Sequence, residues 1–250
     1  MKAKTMLKKT NETVRTVLKL SSAVSTNDLL KQEIAAGLGV DCIVIAERQT
    51  GGRGRGGNSF FSPAGGTYFS FAAPYPSPDP TLTASVGVAV CRVLRSKGID
   101  ARIKWVNDVY VDGKKAGGIL CEKKTGPDGV EYAVIGVGLN TGSEQFPEEI
   151  ADTACRIDAG ISPERLALLI VNEFDVIRGH GLDIDEYRSL SLLIGKKVRW
   201  TENGADFSGL VVGTDEKCGL TVETGSGVRV LRSGEVYTVR PLYEDIDKAR

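Results

Sequence analysis

The amino-acid sequence predicts an α+β protein in two parts, a larger domain over residues 1–192 and a small β-barrel over residues 193–250. Three observations favour this class. Helical patterns occur between apolar, strand-like runs in the first part, and its later strands are separated by tight turns rather than by crossover helices. The second part contains short strand-like runs separated by glycine-containing turns, which is typical of a small barrel of about five strands.

Composition places the chain among ordinary globular proteins. Its 250 residues are 41% hydrophobic and 26% charged, which is enough to bury a substantial core. The 32 basic and 32 acidic residues give no net charge, whereas domains that bind nucleic acid are usually basic. No apolar run approaches the roughly 18 residues of a membrane span, and no apolar segment follows the basic N-terminus. We therefore expect a cytoplasmic protein that binds neither nucleic acid nor membrane.

The cysteine and histidine content indicates the redox compartment and limits the reactions that side chains of this protein can catalyse. The five cysteines, Cys42, Cys91, Cys121, Cys155 and Cys218, show no CxxC spacing, which indicates a reducing compartment. The single histidine, His180, follows a helical pattern and suits a helix C-terminus. This single histidine excludes most histidine-dependent chemistry, and we expect neither a Ser–His–Asp triad nor a histidine-rich zinc site. Lysine, arginine, carboxylates and backbone must carry any reaction.

The first half of the larger domain alternates helices and strands. Residues 25–38 open with hydroxyl and amide capping residues and have helical spacing. Residues 41–47 (DCIVIAE) read as a buried strand, and residues 66–74 (GTYFSFAAP) as a second one. A helix is predicted over residues 81–97, ending at Gly98.

The second half is predicted to begin with strands and to end with a helix. The strand-like runs cover residues 101–108, 109–124 and 130–140. Asp112-Gly113 and residues 127–129 (PDG) are tight-turn signals within and between them. Ser162 and Pro163 then suit the N-cap and first turn of a helix that runs to about Arg178.

A glycine loop, residues 51–57 (GGRGRGG), directly follows the first buried strand. Three interpretations compete: a dinucleotide-binding loop, an RNA-binding tract, and a loop that becomes ordered around an anionic substrate. The GxGxxG spacing formally matches a dinucleotide fingerprint, but the following NSFFSPAGG cannot open the required helix. An RNA-binding tract would need longer repetition or an aromatic platform. Arg53 and Arg55 therefore favour a local anion site.

A second polar cluster occupies residues 104–122 (KWVNDVYVDGKKAGGILCE). Each member has an ordinary structural explanation, because Asn107-Asp108 suits a turn and Lys114-Lys115 suits a solvated hairpin tip. Considered together with the arginines of the glycine loop, the cluster instead suggests a functional site.

The sequence resembles the biotin protein ligases, also called holocarboxylase synthetases. Four segments carry the resemblance: STN at residues 25–27, QTGGRGRGGNSFFSP at residues 49–63, the cluster at residues 104–122, and GVGLN at residues 136–140. The resemblance implies a class II synthetase-like mixed sheet flanked by helices, with an SH3-like barrel at the C-terminus. Because only 24 residues precede Ser25, we expect the form that lacks the N-terminal DNA-binding domain.

The resemblance implies a two-step reaction. The carboxylate of biotin attacks the α-phosphate of ATP and forms biotinyl-5′-AMP with release of diphosphate. A specific lysine of a biotin carboxyl carrier protein or domain, part of a biotin-dependent carboxylase, then accepts the biotin as an amide. Biotin and ATP are substrates, Mg²⁺ accompanies the nucleotide without protein metal ligands, and a homodimer is compatible with the sequence.

The resemblance also assigns site residues. Lys115, Arg55 and Arg53 are the expected catalytic residues. The expected biotin-binding residues are Ser25, Thr26, Asn27, Gln49, Gly52, Arg53, Gly54, Arg55, Lys115, Gly136 and Gly138. The expected nucleotide-binding residues are Arg55, Asn58, Phe60, Asp108, Lys115, Gly118 and Asn140. Gly136 and Gly138 are expected to let the backbone approach biotin closely, and Phe60 to stack on adenine.

Two alternatives remain open. A lipoate–protein ligase-like enzyme would share the adenylation chemistry, and a non-catalytic RNA-binding or adaptor protein would use the glycine loop as its contact. For the ligase, we expect the loop to be disordered without ligand and to become ordered around biotin and ATP, since glycine makes ordering costly.

Overall fold

The computed structural model describes residues 4–10, 13–37, 41–202, 204–233 and 239–242. Within these ranges the chain forms an eight-stranded mixed sheet with helices on both faces, and a second, five-stranded sheet. The α+β prediction is therefore confirmed. Of the predicted barrel, residues 203, 234–238 and 243–250 lie outside the described residues.

The large sheet has the strand order β1-β2-β3-β4-β8-β7-β6-β5. Its strands are β1 (Lys4–Thr10), β2 (Thr13–Leu20), β3 (Cys42–Ala46), β4 (Thr67–Pro74), β5 (Arg102–Lys104), β6 (Asp108–Val111), β7 (Lys114–Thr125) and β8 (Glu131–Leu139). Only β2 and β3 pair in parallel; the other neighbours are antiparallel. No element is predicted from the sequence for residues 4–10 and 13–20, which form the antiparallel strands β1 and β2, with β1 at one edge of the sheet.

Helices cover both faces of the sheet. They are α1 (Thr26–Ala35), α2 (Leu82–Arg95), α3 (Glu148–Ala151), α4 (Pro163–His180) and α5 (Ile184–Ser189). Ile43 and Ile45 of β3 join the core formed with α2 and α4, whereas Val44 between them joins the core formed with α1. This alternation follows from the two-residue period of a strand.

Local signals in the sequence fix several element ends. The Ser25 and Ser162 hydroxyls accept bonds from backbone amides in the first turns of α1 and α4, which confirms both predicted caps. Asp112 and Gly113 have φ values of 50° and 75°, as the predicted tight turn between β6 and β7 requires. His180 ends α4, and its Nδ1 lies 2.9 Å from the Val176 carbonyl oxygen.

The C-terminal sheet is antiparallel, with the order β12-β11-β10-β9-β13. Its strands are β9 (Lys197–Glu202), β10 (Ala205–Thr214), β11 (Leu220–Thr224), β12 (Gly227–Leu231) and β13 (Val239–Pro241). Its core includes Trp105 and Val106 from the larger domain, and the Trp105 indole N–H donates to the Cys218 carbonyl oxygen at 2.8 Å. The core of the C-terminal sheet is therefore completed by two residues that come from the segment between β5 and β6.

This contribution to the core of the C-terminal sheet explains one wrong boundary. The sequence predicts a continuous strand over residues 101–108, but the structure ends β5 at Lys104 and starts β6 at Asp108. The intervening turn, which contains a cis peptide bond between Trp105 and Val106, carries these two side chains into the core of the C-terminal domain. Burial against the other domain thus interrupts the strand. In the part of the chain that the structure describes, no helix is both long and apolar enough to cross a membrane.

Candidate active site

A cavity of about 520 Å³ lies between the glycine loop, the start of α1 and strands β6 to β8. All the site residues expected from the sequence line it, except Gly52 and Asn140. Nine further residues line it as well: Gly56, Ser59, Lys104, Trp105, Asn107, Ile119, Leu120, Val137 and Val239. Its volume lies within the range of small-molecule sites, roughly 300–1,000 Å³.

The glycine loop folds back on itself over this cavity. The Gly54 amide donates to the Asn58 carbonyl oxygen at 2.7 Å, and the Phe60 amide donates to the Gly52 carbonyl oxygen at 2.9 Å. Gly56 and Gly57 have φ values of 64° and 79°, which are accessible to glycine at little cost. The glycines therefore permit a compact, hydrogen-bonded arrangement of the loop.

The two arginines attach the loop to the protein on different sides. The Arg53 guanidinium pairs with Asp28 in the first turn of α1. Arg55 donates through Nη1 to Asn107 Oδ1 at 3.3 Å, and Asn107 in turn donates to the Ile119 carbonyl oxygen at 3.2 Å. The loop thus bridges α1 and the turn before β6.

Lys115 lines the same cavity, and its ammonium is 2.6 Å from Asp108 Oδ1. Strands β6 and β7 place these side chains together, because Asp108 pairs with Gly118 and a register shift follows at Val109. A Cβ atom built on Gly118 would lie 3.7 Å from both the Asp108 carboxylate and Lys115 Cε. These are ordinary van der Waals distances, so Gly118 lines the cavity beside the ion pair without a steric requirement for glycine.

Lys104 adds a further cation to the cavity wall. Its Nζ lies 3.5 Å from the Tyr110 hydroxyl and 5.5 Å from the centre of that ring. Burial lowers the pKa of Lys104, and the charges of Lys115 and Arg240 lower it further, while Asp108 raises it. The site therefore holds Lys104 where its charged form is less favoured than in water.

The backbone of Lys115 is fixed by hydrogen bonds on the side away from the cavity. Its amide donates to the Thr153 carbonyl oxygen at 2.8 Å, and its carbonyl oxygen accepts from the Cys155 amide at 2.9 Å. Asn140 Nδ2 donates to the carbonyl oxygens of Lys115 and Cys155 at 3.3 and 3.1 Å. Asn140, expected from the sequence beside the nucleotide, thus lies buried behind Lys115 and outside the cavity lining.

The other end of the cavity is polar and tightly organised. Gln49 Oε1 accepts from the Thr26 amide at 2.9 Å and from the Thr26 hydroxyl at 3.1 Å. Gln49 Nε2 donates to the Ser62 hydroxyl at 3.0 Å, so the whole amide group is oriented. Ser25 caps α1 at the same end. These groups offer both donors and acceptors to a neutral polar ligand.

Asn27 connects this polar end to β7. Its Nδ2 donates to Glu122 Oε2 at 2.8 Å and to the Leu120 carbonyl oxygen at 3.3 Å, and its Oδ1 accepts from the Ser70 hydroxyl at 2.5 Å. With 4% exposure the side chain has both ends of its amide satisfied, which fixes its orientation.

The expected glycines of β8 approach protein side chains rather than open space. A Cβ on Gly136 would collide with Asn27 Oδ1, and a Cβ on Gly138 would lie 2.6 Å from the Phe60 ring. A Cβ on Gly52 would lie 2.5 Å from the Ser62 hydroxyl. These three glycines therefore make room for Asn27, Phe60 and Ser62, which a sequence pattern alone does not reveal.

The cavity is electrostatically positive. Four cations line it, Arg53, Arg55, Lys104 and Lys115, against the single carboxylate of Asp108. Among the described residues, no cluster of three or more His, Cys, Asp or Glu side chains could hold a metal ion. The arrangement suits anions that meet beside Lys115.

Comparison with known proteins agrees with this geometry. Residues 20–140 match the model of the biotin/lipoate A/B protein ligase family, and residues 193–238 match that of the biotin protein ligase C-terminal domain. A biotin–[acetyl-CoA-carboxylase] ligase from Mycobacterium tuberculosis is 30% identical over 236 residues, which cover 86% of each chain. The chain belongs to the biotin protein ligase family.

Other members extend the comparison. The bifunctional ligase/repressor BirA of Bacillus subtilis is 30% identical over 211 residues, which cover 78% of this chain and 65% of the relative. The chain thus spans less than two thirds of the length of that relative. The structure of the biotin protein ligase from Aquifex aeolicus in complex with biotin and ATP aligns with a TM-score of 0.78 at 27% identity, covering 90% of this chain and 99% of that one.

Several cavity residues were not assigned from the sequence. Lys104, Trp105 and Asn107 lie inside a segment that carries the family resemblance, so their position was a usable signal. Val239 comes from the C-terminal domain, and only the packing of the two domains places it at the cavity. The biotin ligase fold therefore builds this cavity from both domains.

Proposed function

We propose that this protein is an ATP-dependent biotin–protein ligase, which activates biotin as biotinyl-5′-AMP and transfers it to a lysine of a biotin carboxyl carrier protein or domain. One observation carries the proposal: the three expected site cations, Arg53, Arg55 and Lys115, line one cavity whose other end presents Thr26 and Gln49. Family membership and the Aquifex relative with biotin and ATP support it.

The first step must bring two anions together, the biotin carboxylate and the α-phosphate of ATP. Lys115 would lie between them and neutralise both, because its compact ammonium is held at 2.6 Å by Asp108 and its backbone is fixed by Thr153 and Cys155. The carboxylate oxygen forms a bond to phosphorus as the bond to the diphosphate leaving group breaks. Lys115 acts in this step as an electrostatic group and forms no covalent bond.

The glycine loop would cover the cavity and contribute Arg55 to the binding of the two anions. Arg55, which bonds to Asn107 beside the cavity, can offer its planar donors to phosphate or carboxylate oxygens. Closure of the loop would also keep water from the mixed anhydride until the acceptor lysine arrives.

The polar end would bind the ureido ring of biotin, which has two N–H donors and one carbonyl acceptor. Thr26 and Gln49 supply oriented polar groups there, and Ser25 adds a hydroxyl. The nucleotide would occupy the end formed by Asn58, Phe60 and Gly118. The Phe60 ring packs against Gly138 and remains part of the cavity wall, so one ring face or edge can contact adenine.

Mg²⁺ would enter as part of the Mg·ATP substrate. Asp108 is the single carboxylate of the cavity lining and already pairs with Lys115. This donor set fits an ion held mainly by phosphates and water, as Mg²⁺ often is. When bound, the ion would screen the charge of the diphosphate leaving group.

The direct test mixes the protein with biotin, Mg·ATP and a biotin carboxyl carrier domain, and measures diphosphate release and the mass of the carrier. The expected result is diphosphate release that depends on biotin, and a carrier heavier by one biotinyl group on one lysine. A parallel reaction with lipoate and its carrier domain tests the related acid named in the family description. Activity with lipoate but not with biotin would overturn the proposal, as would the absence of diphosphate release with either acid.

A further inference from the structure

We propose that Asp28 is a positioning residue that holds the glycine loop over the cavity through Arg53. It belongs to a ring of four charges, formed by Asp28, Lys31, Arg53 and Glu122. The inference rests on the proposed activity in one respect, because the closed loop would serve to retain the adenylate.

Positive and negative charges alternate around this ring. Arg53 pairs with Asp28 and lies 3.7 Å from Glu122 Oε2. Lys31 closes the ring, with its Nζ 2.6 Å from Glu122 Oε1 and 3.7 Å from Asp28 Oδ1. Each charge therefore has two neighbours of opposite sign, and three structural elements, α1, β7 and the loop, meet at the ring.

Three members of the ring belong to fixed secondary structure, and one belongs to the loop. The Ser25 cap fixes the first turn of α1, where a carboxylate such as Asp28 also interacts favourably with the helix dipole. Glu122 is fixed within β7 by Asn27 as well as by Lys31. Arg53 is the member on the loop, so breaking its pair with Asp28 removes the closer of its two ion pairs and loosens this side of the loop, while the Lys31–Glu122 pair remains.

Asp28 therefore differs from the residues that line the cavity. It is not part of the cavity wall, and it acts on the site through Arg53. The ring lies at the surface, with side-chain exposures of 23% for Lys31 and 41% for Arg53. Exposed ion pairs weaken as salt is added, so closure of the loop should depend on ionic strength.

The first experiment measures retention of the adenylate. Wild-type protein and the Asp28→Asn and Asp28→Glu variants are loaded with radiolabelled biotin and Mg·ATP, and release is followed after dilution into unlabelled adenylate at 50 and 500 mM NaCl. We expect Asp28→Asn to release the adenylate about two- to fivefold faster than wild type at low salt, with a weaker salt dependence. Asp28→Glu should restore most of the retention, because the carboxylate is kept.

The matched control is Glu33→Gln, which removes a carboxylate from the same helix. Glu33 lies close enough to Cys42 to help raise the pKa of that thiol, on the side of α1 that packs toward β3. This variant should release the adenylate at the wild-type rate. A release rate for Asp28→Asn equal to that of Glu33→Gln at low salt would overturn the proposal, as would an unchanged salt dependence.

A second experiment does not depend on catalysis. Trypsin cleaves after arginine, so cleavage after Arg53 and Arg55 reports the opening of the loop in protein without substrates. Asp28→Asn should be cleaved about two- to fivefold faster than wild type and Glu33→Gln at 50 mM NaCl, and the difference should shrink at 500 mM NaCl. Equal cleavage of all three proteins would overturn the positioning role of Asp28. If wild type forms no adenylate but the cleavage difference appears, the ligase assignment fails and the positioning role of Asp28 stands.

Discussion

Substitution of Lys115 by alanine should depress adenylate formation far more than it weakens biotin binding. The lysine ammonium, 2.6 Å from Asp108 Oδ1, lines the cavity where two anions would meet. Loss of one such preorganised electrostatic contact typically lowers the rate of the chemical step about 10²- to 10³-fold, or about 2.7–4 kcal/mol. Biotin alone would contact Lys115 only through its carboxylate. The dissociation constant of biotin should therefore rise less than about tenfold, the scale expected for loss of a half-exposed ion pair.

The variant has a second effect that must be separated from the first. Removing Lys115 leaves the Asp108 carboxylate without that ammonium, beside the position proposed for the phosphates. Like charges at about 4 Å repel by up to about 4 kcal/mol at an effective dielectric constant of 20. The double variant Lys115→Ala/Asp108→Asn removes this repulsion. It should recover at most about tenfold of the lost rate if the lysine itself stabilises the transition state.

The assay is a single-turnover measurement of diphosphate release from radiolabelled ATP at saturating biotin, with biotin affinity measured separately by calorimetry. Two results would refute the reasoning. One is a loss of biotin affinity as large as the loss of rate, which would make Lys115 a ground-state contact. The other is full recovery in the double variant, which would reduce the role of Lys115 to shielding Asp108.

Three further predictions concern the surroundings of the site. Asn140→Ala should lower the free energy of unfolding by about 1–3 kcal/mol, because Asn140 Nδ2 donates to the Lys115 and Cys155 carbonyl oxygens. The rate of adenylation should fall as well, with an unchanged KM for ATP. A raised KM alone, in a variant of wild-type stability, would instead indicate direct nucleotide binding. Gly138→Ala should raise the KM for ATP at least severalfold, because the new Cβ would lie 2.6 Å from the Phe60 ring. The control Gly179→Ala, whose Cβ would meet no atom within 4 Å, should leave activity unchanged and leave the free energy of unfolding unchanged or slightly higher. Burial raises the pKa of Glu122, but hydrogen bonds from Lys31 and Asn27 and the charge of Arg53 hold it below the usual 4.5. The ionised carboxylate therefore stabilises the fold above pH 4.5, and this stabilisation is lost as the pH falls through the pKa of the folded state. In urea unfolding, the free energy of unfolding should fall less between pH 7 and pH 3.5 in Glu122→Gln than in wild type.

Most of the large domain could be predicted because its local signals agree with its tertiary structure. The capped start of α1, the all-apolar run of β3 and the Asp112-Gly113 turn each specify their conformation within a few residues. The strand pair β1 and β2 could not be predicted in this way, because lysine and threonine interrupt its apolar pattern. Its strand character depends on pairing with β3, which contributes the parallel neighbour for Thr16 to Leu20.

In the candidate site, too, some features follow from the local sequence and others depend on tertiary packing. Arg53, Arg55 and Lys115 could be proposed from their segments, and the structure brings them to one cavity. The positions of Asn140 and Gly136 depend on what packs against them, namely the Lys115 carbonyl and the Asn27 amide. Such information comes from residues distant in sequence, and residue type and spacing do not contain it. Sequence therefore identifies groups that carry chemistry better than groups that support them.

The packing of Trp105 has a consequence for how the protein matures. This residue lines the cavity and also belongs to the core of the C-terminal domain, and Val239 of β13 lines the same cavity. During synthesis the pocket would stay incomplete until the chain up to Val239 has left the ribosome and folded. For the ligase proposed above, a chain that ends before Val239 would lack part of the wall of the cavity that is proposed to hold the adenylate.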